Sequence, residues 1–403
     1  MSGLAKALGF VAVVTVALAA GGSGARSKVT EFDAAAGDVS LAGPSFAGPE
    51  VVWAMSGRRA GLYAVRNGAA TPIFVPAAVP MPPEFAHRGL RDPIVRQTLA
   101  QLSGSGRVVA FLRFASLHER CGGGPPCEAV RSFPLFSELW AGSRTGESFR
   151  RVRGARRHCP KRQSWPGELD VSGSHLVFND LLRPCKGSHR LYRVLISSMR
   201  PNTKPRVLAR SVRKQFRFVA AAGRYVAWEQ HREVHGRARE QAVVVFDLRR
   251  GRPLYRLSLD RLRATGVLSV DVQTDGKVAA LVADEGGQCG VLRVVWASPS
   301  EPRPHVLPGR ATGSITVRMS QDRIMYVRDA GTGCNPSAPA ELVIAGLDGT
   351  KHVLSNSHLP GGPFFAYYFD LDGERATYAE TVELPPRGDE RQFQTAIYLD
   401  QVP

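Results

Sequence analysis

Short runs in which apolar positions alternate recur along the chain, each following a turn residue: Gly48, Gly106, Gly173, Gly223, Gly276, Asp322 and Gly373. Three residues after each turn stand Val51, Val109, Leu176, Val226, Ala279, Met325 and Ala376. Five residues after it stand Trp53, Phe111, Phe178, Trp228, Leu281, Val327 and Tyr378. Positions three and five share a face, because side chains alternate along a strand. The position between them is mostly small or apolar as well, as in Val52, Ala110, Val177, Ala227 and Ala280. A strand apolar on both faces is one sandwiched between sheets.

A further strand follows each of these, marked by Leu62-Tyr63, Leu139-Trp140, Leu191-Tyr192 and Ile397-Tyr398, or by Val243 to Phe246, Val291 to Trp296 and Leu342 to Ile344. Turn signals come next in Asn67-Gly68, Arg250-Gly251, Ser298-Pro299 and Asp348-Gly349, and then an outer strand such as Arg206 to Leu208 or His305 to Leu307. The turn residues are 46 to 67 residues apart. Sheets with two apolar faces bury them by packing radially about an axis. The pattern therefore predicts an all-β, seven-bladed β-propeller with four-stranded antiparallel blades. Its last copy lacks a fourth strand, which residues 28 to 36 are expected to supply, closing the ring between the two termini. Only Asp92 to Leu102 has a helical pattern.

Thr274-Asp275-Gly276-Lys277, Leu371-Asp372-Gly373-Glu374 and Leu347-Asp348-Gly349-Thr350 give a repeating unit of inner strand, Asp-Gly turn and apolar strand. That unit resembles the propeller of TolB-type and related WD-like repeat proteins over residues 45 to 400. Several turns depart from that family's Ser-Pro-Asp-Gly, and TolB's separate N-terminal domain has no counterpart, so the resemblance implies the fold and no envelope role.

Residues 1–20 read as a signal peptide, with Lys6 before an apolar run from Ala7 to Ala20 and small residues at Ala17, Ala19 and Ala20. Residues 21–27 then form a short linker and 28–403 a single propeller domain, secreted or held in the cell envelope, with no stable transmembrane segment after processing. An even number of cysteines in an exported chain points to disulfides. Cys121, Cys127, Cys159, Cys185, Cys289 and Cys334 contain no CxxC pair, which argues against zinc. Of the 15 pairings open to six cysteines, the economical one joins Cys121 to Cys127, Cys159 to Cys185 and Cys289 to Cys334. These cysteines fall in or beside the loops of one face, together with Ala115 to Phe136, His231 to Gln241, Asp329 to Ala340 and Leu384 to Phe393, which makes that face the expected binding surface.

The formal net charge is +18, and arginine supplies 45 of the 53 basic residues. Residues 150 to 263 hold 28 Lys and Arg against 8 Asp and Glu, so this third and fourth copy of the repeat carries the entire excess. Its densest stretch, Arg150, Arg151, Arg153, Arg156, Arg157, Lys161 and Arg162, is the candidate polyanion site, with a solvated loop of an arginine-rich chain as the plain reading. His231 and His235 lack the helix and the Glu placement of a metalloprotease motif. Asp275, Asp322 and Asp372 are expected to cap hairpins and not to line the ring. No Gly-x-Ser-x-Gly elbow or phosphate-cradling glycine loop is present, and Gly122-Gly123-Gly124 precedes two prolines. No cofactor or metal is implied. The reading is a monomeric, noncatalytic scaffold for a protein or an acidic glycan or envelope polymer, with nucleic acid disfavoured. The alternative is a propeller enzyme, such as a glycan lyase or hydrolase, with an axial active site.

Overall fold

The computed structural model describes residues 26–35, 41–57, 60–66, 68–86, 93–119, 132–156, 162–184, 190–199, 203–235, 237–262, 264–284, 292–311, 316–329, 340–357, 364–387 and 390–402. The first strand, β1 (Ser27–Ala35), belongs to the last blade of the ring. Blade 1 holds β2 (Leu41–Ala47), β3 (Glu50–Met55), β4 (Gly61–Arg66) and β5 (Ala69–Phe74), and the short helix α1 (Pro83–Ala86) follows it. Blade 2 holds β6 (Pro93–Ser105), β7 (Val108–Glu119), β8 (Ser132–Ser143) and β9 (Arg150–Arg156). Blade 3 holds β10 (Arg162–Ser172), β11 (His175–Pro184), β12 (Leu191–Ser198) and β13 (Arg206–Ser211). Blade 4 holds β14 (Lys214–Ala222), β15 (Tyr225–Val234), β16 (Arg237–Asp247) and β17 (Arg252–Ser258). Blade 5 holds β18 (Ala264–Val272), β19 (Val278–Asp284), β20 (Leu292–Ala297) and β21 (His305–Val306). Blade 6 holds β22 (Arg318–Ser320), β23 (Arg323–Asp329), β24 (Ala340–Gly346) and β25 (Lys351–Ser357). Blade 7 takes β26 (Phe364–Asp372), β27 (Arg375–Arg387) and β28 (Glu390–Gln401), with β1 antiparallel to β28 on its outer edge.

The protein is thus an all-β, seven-bladed propeller of four-stranded antiparallel blades, closed by its N-terminal strand. Arg26 secures the closure: its guanidinium lies 3.5 Å from the centre of the Tyr398 ring and pairs with Glu380. Each seam between blades has its own apolar cluster. Val52, Leu62 and Ala64 meet Leu99, Val109 and Phe111 between blades 1 and 2, and Val29, Val51 and Trp53 meet Ala379 and Ile397 between blades 7 and 1. The small residue between the two large ones faces the other seam, as Ala110 does towards Leu176 and Phe178 of blade 3.

This face assignment holds as read in five blades and is displaced by one residue in the other two. In blade 6 the two-residue turn is Gln321-Asp322, between paired Ser320 and Arg323, so the count begins at Gln321 and the aromatic is Tyr326, facing blade 5. In blade 5 the turn has three residues, Thr274 to Gly276, closed by the Gln273 N–H to Lys277 O bond of 2.9 Å. Val278, Ala280 and Val282 consequently face blade 4, while Ala279 and Leu281 face blade 6. A slip of one residue exchanges the two faces of a strand.

Other expectations also change. The segment with a helical pattern, Asp92 to Leu102, contributes Pro93 onward to β6, where pairing with β7 and burial of Leu99 override the periodicity. Much of the anticipated loop surface is strand: β7 with β8, β15 with β16 and β27 with β28 extend their pairing well past the blade core. Residues 1–25 and all six cysteine positions lie outside the described residues. No described helix is long and apolar enough to cross a membrane.

Candidate functional site

Two residues before the end of six inner strands, and one before the end of β18, the seven blades present Ser45, Ser103, Asp170, Ala220, Asp271, Arg318 and Asp370 at one equivalent register position. The Arg318 guanidinium feels Asp271, Asp370 and Asp170, from three different blades, which sets it at the axis. Ser45 Oγ accepts from Gly104 N (3.2 Å), Ser103 Oγ from Val171 N (3.1 Å) and Asp170 Oδ2 from Ala221 N (2.7 Å). Asp271 Oδ2 accepts from Met319 N (2.6 Å) and Asp370 Oδ2 from Phe46 N (2.8 Å). In each case the acceptor on one blade takes the backbone N–H just beyond the equivalent residue of the next. Ala220 supplies no acceptor, and Val272 N turns instead to Asp271 Oδ1 at 2.9 Å. Arg318 bridges the remaining seam, its Nε 3.5 Å from Asp370 Oδ1.

A second tier lies two residues on. Ser105, Ser172 and Ser320 accept the turn N–H of Gly173, Gly223 and Gly373 at 2.9, 2.7 and 2.9 Å. The Gln273 amide oxygen faces the N–H groups of Gln321 and Asp322, each at 3.2 Å. Inner strands meet edge-on at the channel, where their N–H groups face a neighbouring blade, and these side chains satisfy them.

Burial raises the Asp271 carboxyl to about 7 against the pull of Arg318, and it raises Asp170 and Asp370 in the same direction. Both oxygens of all three carboxylates nevertheless have protein donors: Ser103 and Val171 also bond Asp170 Oδ1, Leu371 N bonds Asp370 Oδ1, and Ser45 Oγ bonds Asp370 Oδ2. The arrangement is a clasp between blades. A general acid or base needs a proton-carrying oxygen within reach of substrate, and these oxygens are committed to the fold. The described residues hold no group of three or more metal-ligating side chains.

Of the turn aspartates, Asp275 caps its hairpin, and Asp322 and Asp372 form side-chain ion pairs. Asp275 Oδ1 accepts from Lys277 N (2.9 Å), Lys277 Nζ bridges Asp275 and Asp322, and Asp372 pairs with Arg375. The ring-lining carboxylates sit instead two to four residues earlier. Their signal was legible as a lone Asp between apolar neighbours in Leu169-Asp170-Val171, Val270-Asp271-Val272 and Phe369-Asp370-Leu371. His231, read as part of a solvated basic loop, lies in β15, is 5% exposed and places Nδ1 2.6 Å from Glu229 Oε1.

The basic stretch is likewise not a loop over its first part. Arg150, Arg151, Arg153 and Arg156 lie on β9, the outer strand of blade 2, Arg162 opens β10, and Arg157 and Lys161 fall outside the described residues. Arg150 donates to Met199 O of blade 3 at 3.0 Å. Arg151 bonds Glu138 Oε1 at 2.8 Å, with Arg113 3.6 Å from the other oxygen. Arg153 Nε donates to Ser164 Oγ (2.7 Å), which donates to Asp180 Oδ1 (2.6 Å), while Arg193 pairs with Asp180 directly. Glu138 and Asp180 are buried. Here four arginines, Arg113, Arg151, Arg153 and Arg193, share two buried carboxylates.

No family model matches the chain, and no curated protein matches it. Among solved structures it is similar to the Pyrococcus horikoshii acylaminoacyl peptidase at 12% identity and a TM-score of 0.48, over 87% of this chain and 51% of that one, so it spans about half the peptidase's length. It is also similar to the Dos1 propeller at 8% identity and a TM-score of 0.48, over 93% and 94% of the two chains. The β-propeller domain of the Trilobed protease from Pyrococcus furiosus matches at 11% identity and a TM-score of 0.32, over 66% of this chain and 99% of that one. Likeness at this level concerns the propeller fold, which the strand pairing here establishes independently.

Proposed function

We propose that the chain is an extracytoplasmic, noncatalytic binding propeller, TolB-like in its turn pattern, whose basic sector holds a protein or polyanionic glycan or envelope polymer. The observation that carries this reading is the surplus of cations at the seam of blades 2 and 3, where Arg113, Arg151, Arg153 and Arg193 have only Glu138 and Asp180 as carboxylate partners among the described residues. A cation left over after the local carboxylates are matched is available to an external anion. The occupied channel carboxylates favour a scaffold over the axial enzyme. Export through residues 1–20 and three disulfides belong to the same reading.

The test is retention of the whole mature protein on immobilised polygalacturonate against neutral dextran, over a range of salt. Exposed charge contacts are screened within roughly 8 Å at physiological ionic strength, so binding should fall steeply as salt rises. Arg156, Arg157, Lys161 and Arg162 changed together to Ser should weaken retention several-fold. Arg151 and Arg153 are kept, because each also contacts a buried carboxylate of the fold. Equal affinity for dextran and polygalacturonate would overturn the reading.

A further inference from the structure

On the face that carries the tight hairpin turns, blades 3 and 4 leave an open groove of about 530 Å³. That volume is within the roughly 300–1,000 Å³ usual for ligand sites. One wall is blade 3, with His175, Lys204 and Arg206; the other is blade 4, with Arg224 and Arg249. Ile196 and Leu248 line it beside the bare backbone of Gly223. No carboxylate is among the lining residues.

Asp247, which precedes the lining Leu248, is fully buried, and its Oδ1 accepts the N–H groups of Arg249 (2.9 Å) and Arg250 (3.2 Å). Its Oδ2 lies 3.7 Å from both Arg224 Nε and Arg250 Nε. Asp247 therefore balances the rim at Arg224 and Arg250. The side chains of Lys204, Arg206 and Arg249 have no carboxylate partner among the described residues. Three cations without a carboxylate partner among the described residues, two at the entry to β13 and one just after β16, thus line one concavity, where their mutual repulsion favours an anion between them.

We infer that this groove seats a segment of an acidic polysaccharide. Cations on both walls suit charges spaced along a chain better than a single compact anion. The apolar side chains and the absent side chain of Gly223 allow a flat sugar ring to lie against the floor. The lining has no Phe, Tyr or Trp, whose rings are the usual stacking platform for single-stranded nucleic acid. The inference rests on the binding-propeller reading and adds a second contact surface, on the opposite face of the same basic sector.

The experiment compares the parent with Lys204→Ser, Arg206→Ser and Arg249→Ser combined, using size-defined oligogalacturonates, single-stranded DNA and phosphatidylglycerol vesicles as probes. Exposed charges contribute little to stability, so the variant should melt with the parent, and a matching thermal curve confirms that it is folded. The expected result is a loss of about tenfold to hundredfold in oligogalacturonate affinity and a shallower salt dependence. Undiminished binding by the triple variant, with the Arg156 to Arg162 variant weakened, would overturn the groove and leave the binding-propeller reading standing. Tighter binding of the parent to DNA or vesicles than to oligogalacturonate would overturn the glycan assignment. A parent that retains none of the three probes would overturn both.

Discussion

Asp271 shows how one position can link the ring to pH. Its carboxyl stands near 7 when folded, against roughly 3.9 in an unfolded chain, and Asp170 and Asp370 are displaced the same way. The folded state thus holds these protons more tightly, so the contribution of Asp271 to stability is fully present below about pH 4 and is lost as pH climbs through about 7, and those of Asp170 and Asp370 likewise decline as pH rises. Thermal midpoints measured between pH 5 and pH 8 should fall with rising pH, and Asp271→Asn, which keeps an acceptor for Met319 N but cannot ionise, should flatten that slope. An unchanged slope would place the titration elsewhere. Gly104 makes a steric counterpart. A Cβ there would sit 2.5 Å from Phe46 O of the neighbouring blade, so Gly104→Ala should lose about 1–3 kcal/mol in urea unfolding. Ser103→Ala strips an acceptor from Val171 N and a donor from Asp170 Oδ1. The expected loss is about 1–3 kcal/mol.

At the scale of strands and turns, the fold was largely written in the spacing of turn residue and aromatic, because both faces of every second strand must be apolar to fill two seams. The same signal misses by one residue in blade 5, whose turn has three residues, and in blade 6, where Asp322 reads as the first turn residue although Gln321 is. Both adopt the left-handed region, φ 47° and 61°, which Gly fills elsewhere in the ring. Asp322→Gly should therefore raise stability by about 0.5–1 kcal/mol, with only an exposed contact to Lys277 lost. With the register corrected, the ring from Ser45 to Asp370 becomes visible as one repeated position; without it, Asp271 and Arg318 seem unrelated to the others. Their partners lie some 50 residues along the chain, which no local motif encodes. The groove between blades 3 and 4 was illegible for a similar reason: the charge excess of residues 150 to 263 was plain, but which cations find carboxylates is decided by pairing across blades.

For the molecule as a whole, the +20 borne by residues 150 to 263 against a total of +18 gives the ring one positive sector on an otherwise near-neutral body. Association with acidic partners should accordingly be oriented and accelerated at low salt, which stopped-flow binding over a range of ionic strength would measure. The strand that completes blade 7 bears on a different property, the order of events in folding. Ser27 pairs with Leu399, and its hydroxyl bonds the Leu399 carbonyl across 372 residues of sequence. Contacts so distant in sequence are slow to form, since the entropy of closing the loop is spent before the contact rewards it. During synthesis the first strand therefore waits for the last, with the edge of β28 open until they meet. A permuted chain that begins at Leu41 and joins Val402 by a short turn to Ser27 makes the same pair a local hairpin. It should refold faster while unfolding at an unchanged rate, and equal refolding rates would show that closure is not the slow step. The clasp that makes the ring seamless is, on this view, also the clock that sets when the chain becomes a ring.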